Sequence, residues 1–205
     1  MARKTKADTE QTRLHIIDAA RQVFSERGVS RTTFAEIAKA AGVTRGAIYW
    51  HFASKRELFF AMREQVSLPL IDRVDKNSTA TSLDDPLQNI HSTMCAVLNM
   101  LEEDVTTRTT LEIVIFKCEY VDEFSSINTQ VMKAACNFME QLTKGYETAH
   151  RNGQLRGSLD PTLLALDSYS FMKGLINLWL ANPEDLLIRQ KARALIEAHI
   201  ATRRG

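Results

Sequence analysis

Thr33-Phe-Ala-Glu-Ile-Ala-Lys-Ala-Ala-Gly42-Val-Thr44-Arg-Gly-Ala-Ile-Tyr-Trp-His-Phe52-Ala-Ser-Lys55-Arg-Glu-Leu58 is the stretch that decides the fold. Thr33 followed three residues later by Glu36 is a capping box, in which hydroxyl and carboxylate satisfy each other's orphaned backbone donors, so a helix opens there. That helix is short, because Gly42 turns the chain and Thr44 caps a further helix through Ala47, Ile48 and Tyr49. Ser54 and Glu57 form a second capping box and open the next helix. Two short helices about a tight turn are therefore expected. Gly42 is needed there for the helices to cross without a Cβ clash, and Ile37, Ala38, Val43, Ile48 and Phe52 are expected to form a small apolar core that fixes their angle.

Working outward, Thr9 to Arg27 places Leu14, Ile17, Ala20, Val23 and Phe24 on one stripe, and Gly28 follows where a left-handed C-cap belongs. On the other side, Leu58, Phe59, Met62 and Val66 continue the fourth helix until Pro69, which ends or kinks it. Asp75 to Pro86 is polar and reads as a loop. Beyond it, apolar periodicity predicts helices at about 86–103, 107–119, 124–151, 161–181 and 184–202. Asp160-Pro161 and Asn182-Pro183 each set a capping side chain before a proline suited to the first helical position, and Arg203 and Arg204 suit the dipole of the last helix end. The fold class expected is all-α, with nine helices.

Composition allows an ordinary globular protein: 44% hydrophobic and 25% charged residues. No apolar run approaches the ~18 residues needed to span a bilayer and no signal peptide opens the chain, so a cytoplasmic protein with no membrane partner is expected. Cys95, Cys118 and Cys136 are widely spaced, without a Cys-x-x-Cys pair, and read as reduced, packed thiols. Net charge is +1, but residues 1–60 carry 11 Lys/Arg against 6 Asp/Glu, so a cationic head precedes a mildly acidic body. Phosphate contacts would use such a head.

The stretch 33–58 closely resembles the DNA-binding signature of the TetR family. Met1-Ala-Arg-Lys-Thr-Lys6, Thr44 to Phe52 and Lys117-Cys-Glu-Tyr120 look like its AcrR-type subgroup, local repressors of multidrug efflux pumps. The resemblance implies a helix-turn-helix DNA-binding domain over 10–70 and an effector-binding and dimerisation domain over 71–205. It implies operator double-stranded DNA as a partner and a homodimer whose last two helices pair with their twins in a four-helix interface. It also implies release by a small apolar or amphipathic effector such as a drug, bile salt or flavonoid. The residues agree in part. The eighth helix, with Leu163, Leu166, Phe171, Met172, Leu175, Leu178 and Trp179, is apolar on most of its circumference and needs more than one face covered, within one subunit or between two.

Thr44, Arg45 and Gly46 sit at the end of the third helix that reaches base edges in this motif. The planar fork of Arg45 can bond guanine O6 and N7 together, or pair a phosphate. Gly46 lets the backbone approach DNA closely, or is tolerated near a helix start. Tyr49, Trp50, His51 and Lys55, with Thr33 at the start of the second helix, are expected on phosphates, Trp50 having packing against a neighbouring helix as its alternative. Arg3, Lys4 and Lys6 lie along the DNA or in a solvated tail. For the effector, Met62 and Val66 on the fourth helix join Met94, Leu98, Leu111, Ile115, Met132, Cys136, Met139, Phe171 and Met172. These are adaptable side chains of the kind that line apolar pockets, each one alone being ordinary core.

An enzyme is disfavoured. There is no phosphate loop, no Gly-x-Ser-x-Gly, no His-Glu-x-x-His, and the five histidines are scattered. His91 and Cys95 share a helix face, but two ligands make a poor metal site and a half-buried pair is the simpler reading. No cofactor is expected. A DNA binder without an effector is the other rival, and the large apolar second module argues against it. Within the family, a metabolic operon is the alternative target.

Overall fold

The computed structural model describes residues 6–66, 85–121, 124, 127–182, 184 and 186–205, with the backbone alone over 127–136. Nine helices and no strand occur among them: α1 Lys6–Arg27, α2 Phe34–Ala40, α3 Arg45–His51, α4 over 55–66, α5 Pro86–Glu103, α6 Val105–Phe116, α7 Ile127–Arg151, α8 Pro161–Ala181 and α9 Leu186–Ala201. The expected stop at Pro69, the loop from Asp75, and Arg3 and Lys4 lie outside the described residues.

Helix ends follow the caps. The Thr33 hydroxyl accepts from Glu36 N while the Glu36 carboxylate accepts from Thr33 N at 2.8 Å, so both halves of the box are present. Thr44 accepts from Ala47 N, and Asp160 from Thr162 N ahead of Pro161. The second box differs from expectation: Ser54 Oγ accepts from Glu57 N, but the Glu57 carboxylate reaches one residue further back, to Ala53 N at 2.7 Å. α6 starts at 105 rather than 107 because Asp104 takes Thr106 N and the Thr107 hydroxyl, holding the first turn earlier. Its end at 116 follows because the Lys117 carbonyl accepts from Val29 N and Tyr120 donates to the Val114 carbonyl. Asn182 is the C-cap of α8, and Pro183 lies outside the described residues.

The chain divides into two compact units: 1–67 with 109–128, and 68–108 with 129–205. In the first, Ile16, Ile17, Ala20, Phe24, Ile37, Ile48, Phe52, Leu58, Phe59 and Met62 form the core. Leu14, expected on the buried stripe, is 41% exposed, and the buried face of α1 runs instead through Ile16, Ile17, Ala20, Val23 and Phe24. Buried Arg21 donates to Asp18, Gln65 and the Thr110 hydroxyl, so α1, α4 and the middle of α6 share one polar knot. A buried arginine is retained because its donors are met.

In the second unit α5 pairs with α9 and α8 with α9. Arg193 of α9 donates to Asn99 and Glu102 of α5, and His91 lies 3.0 Å from the Glu197 carboxylate. Tyr146, Ser168 and His199 form a hydroxyl–hydroxyl–imidazole chain at 2.6 and 3.0 Å, and Phe171 stacks on the His199 ring. Arg203 is buried and donates to the His199 carbonyl and to Asp167, capping α9 with a cation as the dipole prefers. Cys95 and Cys118 are free thiols. Burial pushes the Cys118 thiol up to about 11, with Glu119 adding to the shift and Lys55 opposing it.

Candidate nucleic-acid interface

Gly42 has φ +60, and a Cβ there would meet nothing within 4 Å. The glycine is therefore required by left-handed backbone and not, as the sequence reading has it, by a helix–helix clash. This turn sets α3 beside α2, and Ile48 and Phe52 anchor α3 to the core while Arg45, Tyr49 and Trp50 remain exposed. Phe34 of α2 meets the Tyr49 ring edge-on at 5.1 Å. His15 of α1 bonds the Ala41 carbonyl at 3.0 Å and fixes the end of α2.

Arg45 Nη2 donates to the Tyr49 hydroxyl at 3.1 Å and the guanidinium lies 5.4 Å from that ring's centre. One turn of helix thus steadies the fork at the exposed start of α3. Gly46 is exposed, and a Cβ would meet only Thr44 Oγ1 at 3.9 Å, so nothing within the chain requires glycine there. Trp50 is 70% exposed, its ring edge-on to His51 at 4.6 Å, so packing against α1 or α4 is not its role. The Thr44 hydroxyl is engaged as the cap of α3.

Four of the eight expected DNA residues, Thr33, Arg45, Tyr49 and Lys55, line one open groove of about 500 Å³ with Phe34 and Ser54. Glu36 stands at its edge, its carboxyl held below the usual carboxylate range by the Thr33 N–H and hydroxyl, and paired to Arg27 at 2.6 Å. The Lys55 ammonium donates to the carbonyls of Ser30 and Thr32 at 3.0 and 3.1 Å. These partners, like Arg27 and His15, lie 9 to 26 residues away in sequence and leave no local spacing signal.

The expected effector residues fall in both units. Met62, Val66, Leu111 and Ile115 belong to the first; Met94, Leu98, Met139, Phe171 and Met172 belong to the second, with Met132 and Cys136 at positions whose side chains are not described. Met62, Met94, Leu98 and Met172 are buried. Within the second unit, a groove of about 180 Å³ lies between α5 and α7, lined by Asn89, Ile90, Thr93, Phe138, Gln141 and Gly145, none of which the sequence singled out. No group of three or more His, Cys, Asp or Glu among the described residues is arranged to hold a metal. No helix among them is long and apolar enough to cross a membrane.

A two-helix reader with an exposed recognition end, mounted on α1 and α4, defines a helix-turn-helix protein of the transcription-regulator class. Residues 16–62 match the bacterial regulatory proteins of the tetR family, and residues 85–203 match the C-terminal region of MAATS-type transcriptional repressors. The chain belongs to the TetR family. It is 39% identical over 186 residues to the HTH-type transcriptional regulator TtgR of Pseudomonas putida, covering 91% of this chain and 88% of that one. Its fold is similar to that of NalD, the secondary repressor of the MexAB-OprM multidrug efflux pump in Pseudomonas aeruginosa, with TM-score 0.85 and 30% identity over 96% of this chain and 98% of that one. The triclosan complex of SmeT, a Stenotrophomonas maltophilia efflux repressor, matches with TM-score 0.81 and 28% identity, covering 95% and 92%.

Proposed function

We propose that this protein is a homodimeric repressor of a multidrug efflux operon, bound to a near-palindromic operator through α3 and released by an apolar or amphipathic effector. The observation that carries this is the joint match of head and body: the head matches a family of bacterial regulatory proteins, the body a family of transcriptional repressors, and relatives aligned over nine-tenths of the chain include an efflux-pump repressor. Thr33, Tyr49, Trp50 and His51 belong to the phosphate-facing side in this reading, with Thr44, Arg45 and Gly46 at the base edges, while the Lys55 ammonium is engaged by the carbonyls of Ser30 and Thr32. The dimer is supported by Leu163, Leu166 and Leu178 of α8 and Leu187 and Leu195 of α9, each at least 40% exposed. So many large apolar side chains on two adjacent helices call for a cover.

Effector and operator are linked by differential affinity: a ligand preferring the DNA-incompetent state a hundredfold supplies about 2.7 kcal/mol of coupling. Two helices carry that linkage in this reading. α4 follows the reader at Ser54, and α6 enters the first unit at Thr109, where Thr110 accepts from Arg21. The test is footprinting of the DNA flanking the protein's own gene, followed by anisotropy titrations of the protected duplex with triclosan and other efflux substrates. Release of the duplex, with calorimetry placing the compound on the protein, is the expected result. Compounds that bind while operator affinity stays constant remove the effector mechanism, and absence of any protected site removes the repressor reading.

A further inference from the structure

Between α1 and α2 the backbone of Gly28 to Thr32 sets where Thr33, and hence the whole of α2, stands. Three contacts from elsewhere in the first unit hold it. Val29 N donates to the Lys117 carbonyl at 2.8 Å, just after α6. Lys55 Nζ, at the start of α4, donates to the carbonyls of Ser30 and Thr32. The same ammonium lies 5.7 Å from the centre of the Phe124 ring, and Phe124, 3% exposed, packs edge-on against Phe59, which packs against Phe24 of α1.

We propose that Lys55 is a positioning residue for the DNA-reading surface: its ammonium binds the α1–α2 loop by two carbonyls and ties it to Phe124 in the segment following α6. The inference rests on the operator-binding reading and assigns Lys55 a job a phosphate contact does not have. A lysine that neutralises a phosphate acts through released counterions, so its loss lowers the slope of log affinity against log salt by about 0.9. A lysine that organises a loop acts on the free protein. Its loss leaves the number of phosphate contacts, and therefore the slope, as it was, while weakening every contact that depends on the placement of α2.

The decisive variant is Lys55→Met, which keeps the apolar stem and removes the ammonium. Operator affinity for the footprinted duplex falls five- to fiftyfold with the salt slope unchanged, and amide exchange at Val29 and Thr32 quickens in the DNA-free protein. A slope lower by about 0.9, whatever the exchange shows, overturns the proposal, as does unaltered affinity or unaltered exchange. Circular dichroism checks the fold, and where Met lowers the folded fraction the same two measurements on Lys55→Gln decide. Exchange in the free protein distinguishes the two failures: if the wild type protects no duplex the repressor reading falls, while the tether is still tested by the quickened amides.

Discussion

Arg45 and His199 show what single side chains contribute. With its fork steadied on Tyr49, Arg45 meets DNA partly organised, and Arg45→Ala relaxes base preference at one operator position at a cost of about 1–3 kcal/mol. Tyr49→Phe keeps the ring and removes the acceptor, so it gives a smaller loss at the same position. A mismatch series over the footprinted duplex checks both, and uniform loss at every position contradicts the base-reading role. His199 works through its burial, which lowers its pKa from 6.5 to about 4, helped by Arg203 and opposed by Asp167. The unfolded chain binds a proton on this ring between those values and the native chain does not. Stability is therefore full above about 6.5 and declines as pH falls towards 4. Urea midpoints measured at steps from pH 7.5 to 4.5 fall for the wild type, and His199→Gln removes that part of the fall. Only one of these partners is written in spacing: Tyr49 is four residues from Arg45 and can be read off a helix, but Ser168 is 31 residues from His199.

At the scale of elements, what is local in sequence was readable. Thr33 with Glu36, Thr44, Asp160 before Pro161, and Gly28 with φ +81 each fix a helix end from within four residues, and the structure has them there. The apolar period points to a start of α6 at 107, whereas Asp104, a local cap, sets it two residues earlier. Leu14 lies off the buried face because a stripe at three- and four-residue steps admits two neighbouring faces, and only the core chooses between them. The tethers of Lys55 and Arg21 were beyond reach, since they join residues 23 to 89 apart. The two glycines of the reader separate fold from function. Gly42→Ala forces a side chain into left-handed backbone and lowers stability by about 1–2 kcal/mol. Gly46→Ala, in open space at a helix start, leaves stability equal or higher and weakens operator binding. Thermal unfolding and anisotropy on the same two proteins check this, and a reversed pattern sinks the assignment.

For the whole molecule, association is the property most exposed to test. Leu163 and Leu187 are each 64% exposed, on neighbouring helices. Leu163→Glu with Leu187→Glu sets two charges where the proposed dimer buries methyl groups, and isolated charges on an apolar interface are costly. Sedimentation velocity at micromolar concentration is expected to shift from dimer to monomer, and operator affinity to fall by the loss of the second head. A variant that stays dimeric with full affinity places the interface elsewhere. The apolar girth of α8 calls for more than one covered face, within one subunit or between two; that a second copy supplies the cover is what the family resemblance implies.

The reading head is not a continuous piece of chain. Residues 109–128 belong to the same compact unit as 1–67, and Thr110 and Phe124 supply one partner each to Arg21 and Phe59. Anyone grafting this head onto a relative's body, to pair one operator with another inducer, must carry both segments across. A hybrid joined only after residue 67 inherits a head whose buried guanidinium and aromatic cluster face a stranger's α6, and its stability then depends on how well that borrowed helix imitates this one.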